Sequence, residues 1–194
     1  MSLQPNLDPR LQSEANEFSP EERRTLLTLA HDAIAGALAG QTVDTTPPSD
    51  HLAEHRGAFT TLTIAGELRG CVGYVFPSYS LYRTIAETAV AAALHDTRFA
   101  PVTPEELPKL EYEISVLSPL QAIDAEDVEV GKHGLVVTFG GRRGLLLPQV
   151  PVEHGWDRET FLAQTCLKAG LPGDAWERGA ELQAFTAEIF SSEK

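Results

Sequence analysis

Apolar residues recur along this chain in two rhythms, one with a period near 3.6 and one with a period of two. The first rhythm runs through Leu27, Ala30, Ile34, Ala37 and Leu38. Ser19 precedes it as an N-cap, Pro20 suits the first turn, and Glu22 stands where a capping box needs its acid. Gly40 ends the run. The spacing predicts a helix. A second helix is expected over residues 79–94, where Ala86, Ala89, Val90 and Ala93 form a narrow packing face. A third follows Asp157 as its cap and runs to Ala169, closed by Gly170 and Pro172.

The second rhythm predicts strands over residues 59–64 and 68–74. A two-residue type II′ turn at Gly66-Glu67 would join them. That register sets Leu62 opposite Cys71 and Ile64 opposite Arg69. Residues 111–117 alternate, with Tyr112, Ile114 and Val116 facing one way and Glu113 and Ser115 the other. Residues 135–139 and 144–147 form a second expected hairpin, turned at Gly140-Gly141. Residues 182–190 read as a last strand, with a short helix as the alternative. Thr103-Pro104-Glu105-Glu106 is a second capping box, on a short helix stopped by Pro108. Residues 42–50 read as a linker and residues 1–17 as a loose tail. Hairpins interspersed with helices define an α+β class: a mixed or mostly antiparallel sheet with flanking helices, not a doubly wound parallel fold.

The chain has 194 residues, room for one domain or one domain in two lobes, and a net charge of −13. An acidic surface repels phosphate, which disfavours general binding of nucleic acid or anionic membranes. No apolar run is long enough to span a bilayer, and the first residues lack the layout of a signal peptide. A cytoplasmic protein is expected. Cys71 and Cys166 form no CxxC pair and read as free thiols in a reducing compartment.

The chemistry concentrates in Leu68-Arg69-Gly70-Cys71-Val72-Gly73-Tyr74. Two glycines in one strand imply that something approaches its backbone closely. A guanidinium beside a thiol favours the thiolate, the reactive form, so Arg69 and Cys71 make a nucleophile reading. The expected register instead sets Cys71 among Leu62 and Ile64, which makes a core reading. Both stand at this point. Arg69 keeps its charge and needs a carboxylate or an anion; Glu113 is the candidate, either as a salt bridge or, with Ser115, as part of a polar cleft. His133 is a candidate acid/base group in a turn, and Gln149 a candidate ligand-orienting amide. No histidine pattern predicts a metal site, and no cofactor is indicated.

Leu68-Arg69-Gly70-Cys71-Val72-Gly73 resembles the LRGCIG signature of the AMMECR family, found in bacteria and archaea as AmmeMemoRadiSam system protein A. Asp96-Thr97-Arg98-Phe99-Ala100-Pro101, Glu113-Ile114-Ser115-Val116-Leu117, Lys132-His133-Gly134-Leu135 and Gly144-Leu145-Leu146-Leu147-Pro148-Gln149-Val150 are similar to further blocks of that family. Gly155-Trp156-Asp157 and Cys166-Leu167-Lys168-Ala169-Gly170-Leu171-Pro172 complete the series. The resemblance implies an intracellular α+β domain in two lobes with the signature strand near a cleft. It implies a radical-SAM enzyme and a MEMO-type protein as companions, and no settled reaction. The motif residues it carries over are Arg69, Cys71, Asp96, Arg98, Glu113, Ser115, His133 and Gln149. Cys71, Arg69, Glu113 and His133 then form the catalytic set, and Asp96, Arg98, Ser115 and Gln149 the binding set. A non-catalytic interaction or ligand-binding module is the other reading.

Overall fold

A computed structural model describes residues 17–192. The expected tail, Glu17 apart, lies outside them. The chain divides into two compact units: residues 17–117 with 188–192, and residues 118–187. The helices and antiparallel hairpins bear out the α+β class.

In the first unit, helix α1 (Pro20–Leu38) starts as its sequence dictates. Ser19 Oγ accepts the Glu22 N–H, and Glu22 reaches back to the Ser19 N–H at 2.8 Å. Helix α2 (Asp50–Ala53) follows a segment without regular structure. Strands β1 (Ala58–Ile64) and β2 (Glu67–Tyr74) form the first hairpin. Helix α3 (Leu81–Leu94) is capped by Ser80. Strand β3 (Glu111–Leu117) has the expected bounds. These strands and β8 (Ala187–Ser191) form a four-stranded sheet in the order β2-β1-β3-β8, with β1 antiparallel to both β2 and β3.

Helices α1 and α3 pack on one face of this sheet. Ala58, Thr60 and Leu62 of β1 and Tyr112, Ile114 and Val116 of β3 are buried there. Thr60 meets Thr88 of α3 through a hydroxyl pair at 2.9 Å. Gly70 explains the close approach of α3. A Cβ built on it would lie 2.1 Å from the carbonyl oxygen of Ala92.

The hairpin turn differs from the expected one. Ala65 (φ 51°) and Gly66 (φ 81°) occupy it, both left-handed, as a type I′ turn requires. Ile64 therefore pairs with Glu67 and Thr63 with Leu68. A register shift then passes over Arg69, so Leu62 pairs with Gly70 and Thr61 with Cys71. Cys71 is not opposite Leu62 and does not lie on the core face. It shares the outer face with Phe59 and Thr61.

The second unit holds a four-stranded sheet of order β4-β7-β5-β6. Its strands are β4 (Gln121–Ala122), β5 (Gly134–Phe139), β6 (Arg142–Leu146) and β7 (Glu181–Phe185). The β5–β6 turn is Gly140-Gly141, as expected, with both glycines left-handed. The expected last strand is two, β7 and β8, interrupted at Thr186. Helix α4 (Gln149–His154) departs from the sequence pattern, in which Pro148 and Pro151 argue against a helix. Helix α5 (Arg158–Lys168) is capped by Asp157 and buries Phe161, Leu162 and Cys166 against the sheet. No helix among the described residues is long and apolar enough to cross a membrane.

Candidate functional site

Strand alternation assembles the site on the outer face of the first sheet. Thr61 pairs with Cys71 on one side and with Glu113 on the other, so the three side chains form one row across β2, β1 and β3. At the usual spacing between strands, the thiol and carboxylate strands lie about 10 Å apart. Thr61 Oγ1 donates to Cys71 Sγ at 3.3 Å. The neighbouring row holds Gly73, Phe59 and Ser115. The Phe59 ring covers Gly73, where a Cβ would lie 2.1 Å from it. Helix and ring thus account for both glycines of the signature.

Glu113 is half-buried and has no cation or hydrogen-bond partner among the described residues. Burial pushes its carboxyl above the ordinary carboxylate range. A carboxyl raised in this way holds its proton to higher pH than an ordinary one, and it stands one strand beyond the hydroxyl that touches the thiol.

The expected pairing of Arg69 with Glu113 is overturned. The Arg69 guanidinium forks onto Glu106, with Nε–Oε1 at 2.9 Å and Nη2–Oε2 at 3.0 Å. It also donates to the carbonyls of Ala100 and Pro101, at 2.8 and 3.2 Å. This cation ties the 96–106 segment to β2, and its bonds go to that segment and not to the thiol. Glu106 in turn accepts the Thr103 N–H at 2.8 Å, which is one half of the expected box; the Thr103 side chain makes no cap bond among the described residues, and the turn that follows is 3₁₀ (Leu107–Lys109) and runs through Pro108. Both bonds hold the Glu106 carboxyl down at about 2, with the Arg69 contact the largest influence.

Asp96 and Arg98 work on the Cys71 backbone. Cys71 N–H donates to Asp96 Oδ2 at 2.9 Å, and Arg98 Nη2 donates to the Cys71 carbonyl at 3.1 Å. Arg98 also forks onto Asp96, at 2.9 and 2.7 Å. Strand β2 is a sheet edge, and this pair of side chains satisfies its backbone as a further strand would. The contact with Arg98, foremost, holds the Asp96 carboxyl far below its ordinary range.

His133 and Gln149 belong to the second unit. His133 Nδ1 accepts the Glu129 N–H at 3.1 Å. Gln149 opens α4. Of the sequence candidates, Cys71, Glu113 and Ser115 therefore share the outer face, Arg69, Asp96 and Arg98 brace the edge strand, and the other two stand in the second unit. The sequence candidates lack Thr61, and Glu106 stands among them only as a helix cap, not as the partner of Arg69. The period-two pattern of β1 carried the signal for Thr61, and the capping box carried it for Glu106.

A carboxylate–imidazole group exists elsewhere in the first unit. Ligand atoms of Glu17, His51 and Glu54 lie within 4.8 Å of one another. The buried Arg56 already fills the cationic role there, 2.7 Å from Glu17 and 3.1 Å from Glu54. The hollow along α1, about 740 Å³ and lined by Arg24, Asp32, Asp44 and Tyr82 among others, shares no residue with the Cys71 row.

The class defined is a two-unit α+β protein with a thiol, a hydroxyl and a half-buried carboxyl aligned on one sheet face. The family model described as AMMECR1 matches residues 27–190, and the chain belongs to that family. It is 42% identical to the protein MK0488 of Methanopyrus kandleri over 186 residues, 90% of each chain. It is 41% identical to the protein MJ0810 of Methanocaldococcus jannaschii over 180 residues, 88% of this chain and 90% of the other. The crystal structure of the uncharacterized protein PH0010 from Pyrococcus horikoshii matches with a TM-score of 0.70 and 42% identity, covering 87% of this chain and 90% of that one.

Proposed function

We propose that this AMMECR1-family protein is an enzyme, or an enzyme's accessory, that works from the outer face of its first sheet. Cys71 serves as the nucleophile, Thr61 holds the thiol, and Glu113 is the acid/base group. The observation that carries this reading is the single register row of Cys71, Thr61 and Glu113. Arg69, Asp96 and Arg98 keep the strand in place for it. A cytoplasmic setting suits the two free thiols, and a radical-SAM enzyme and a MEMO-type protein are the companions that the family resemblance suggests.

Native alkylation followed by mass spectrometry tests the reading. Cys71, half-exposed, labels in the folded protein, whereas Cys166, fully buried, labels only on unfolding. Glu113→Gln slows Cys71 labelling about tenfold. Equal labelling of wild type and variant at every pH removes Glu113 from the chemistry.

A second reading, a non-catalytic interaction module, has its own observation. Tyr74 at the end of the signature strand and Phe76 and Tyr79 just beyond it stand exposed. If they dock the companions, Phe76→Ala lowers recovery of those proteins in a pull-down while Cys71→Ser leaves it unchanged.

A further inference from the structure

The second unit contains a hollow of about 290 Å³ bordered by Ser118, Gln121, Ile123, His133, Phe185 and Thr186. None of its lining residues is acidic, lysine or arginine, in a chain with 28 acidic and 15 basic residues. Its wall is fixed by hydrogen bonds. Ser118 N–H donates to the Thr186 carbonyl at 2.9 Å, and Thr186 N–H donates to Ser118 Oγ at 2.9 Å. Gly134 makes room for the wall on another side, since a Cβ there would lie 2.2 Å from the Phe185 ring. The pairing of Lys132-His133 with Gly134 is thus more than a turn: the glycine seats the aromatic ring beside the imidazole.

The imidazole is set in one form. Its Nδ1 accepts the Glu129 N–H, so the ring proton sits on Nε2. Burial, then the nearby Lys132, push its pKa below the ordinary value, which keeps the ring neutral. Nε2–H has no partner among the described residues. A neutral donor in a charge-free hollow neither attracts a cation nor compensates an anion. It suits an uncharged acceptor. Gln121 adds an amide, with one donor and one acceptor group. The volume, near the lower end for small-molecule sites, takes a single-ring molecule.

We propose that this hollow binds a small uncharged heterocycle carrying an adjacent carbonyl and N–H, its carbonyl accepting from His133 Nε2–H. The site shares no residue with the Cys71 row and does not depend on that thiol's reactivity. Uracil is the probe, with benzoate and benzylamine as charged comparators, titrated into the full chain while the His133 ring nitrogens are followed by long-range ¹H–¹⁵N NMR. Uracil shifts Nε2 saturably with a midpoint of about 1 mM, as for a fragment-sized ligand. His133→Asn keeps an acceptor for the Glu129 N–H and removes Nε2, and it weakens uracil binding about tenfold or more, an expected loss of one good hydrogen bond. The proposal is overturned if uracil leaves Nε2 unmoved, or if benzoate or benzylamine saturates it as readily. Because the wild-type titration reads the ring directly, a variant that fails to fold leaves the test intact.

Discussion

The main-chain N–H of Cys71 donates to Asp96 Oδ2 at 2.9 Å, so a side chain stands where the carbonyl of a fifth strand would be. Arg98 completes the imitation by donating to the Cys71 carbonyl. An edge strand whose backbone is answered in this way offers no ladder to a second chain at the position of its thiol.

Removing the acceptor leaves a part-buried N–H without a partner and a guanidinium without its carboxylate. Asp96→Ala is expected to cost about 1–3 kcal/mol in urea unfolding. Arg98→Ala costs less, about 0–1 kcal/mol, because the Arg98 side chain is 57% exposed while that of Asp96 is 6% exposed. Equal losses for the two would show that the carboxylate acts only through the arginine.

Arg69 and Glu106 give a pH-dependent prediction. The folded carboxyl, at about 2, lies below its ordinary 4.5. A depressed acid contributes stability that is present above the ordinary value and fades as pH falls toward the folded one. The urea midpoint of the wild type should exceed that of Glu106→Gln at pH 7, and the gap should close between pH 4.5 and 2. A gap that is constant across this range would assign the loss to packing.

The hairpin shows how far a sequence carries this fold. Residues whose local chemistry and tertiary role agree were legible: the Ser19-Pro20-Glu22 start of α1, the buried and exposed alternation of β3, the Gly140-Gly141 turn. Ala65 was not. A non-glycine residue seldom takes a positive φ, so the turn was expected one residue later, at Gly66-Glu67. One step of register changes the face of every side chain. The shift over Arg69 restores one of the two steps, and the net slip moved Cys71 from an expected core face to the outer one. Glu113 and Ser115 were placed on their face correctly because β3 needs no turn to set its phase. Glu106 reads as a helix cap, but nothing in local spacing links it to an arginine 37 positions earlier.

The two signature glycines answer to different neighbours, and their substitutions should differ. At Gly70 an added methyl meets the main chain of α3, the Ala92 carbonyl at 2.1 Å, which moves only with the helix. At Gly73 it meets the ring of Phe59, a half-buried side chain able to rotate away. Gly70→Ala should therefore cost about 3 kcal/mol, at the upper end for overpacking, and Gly73→Ala about 1. Thermal unfolding of both variants checks the order, and a reversal would mean that the ring is held more firmly than the helix.

His51 gives the opposite pH sign. Its ring stacks on the buried Phe18 with centroids 4.7 Å apart. Nδ1 lies 2.7 Å from Glu22 and Nε2 lies 3.7 Å from Glu17; Glu54 is also near, and Arg56 stands behind Glu17 and Glu54. Burial alone would lower the imidazole pKa, but the hydrogen bond and charge of Glu22, with Glu54 and Glu17, outweigh it and raise the value. A raised base contributes stability that is full below its ordinary value, 6.5, and is lost as pH climbs through the folded one. The side chain is 30% exposed, so solvent limits the effect to about 1 kcal/mol or less. The wild type should lose that much as pH rises above 6.5, measured by urea unfolding, and His51→Gln should lose none of it. The protection factor of the Phe18 amide, corrected for the intrinsic rise of exchange with pH, should fall over the same interval in the wild type alone, since the ring of His51 stacks on Phe18. Identical pH profiles for wild type and variant would place the titrating group elsewhere.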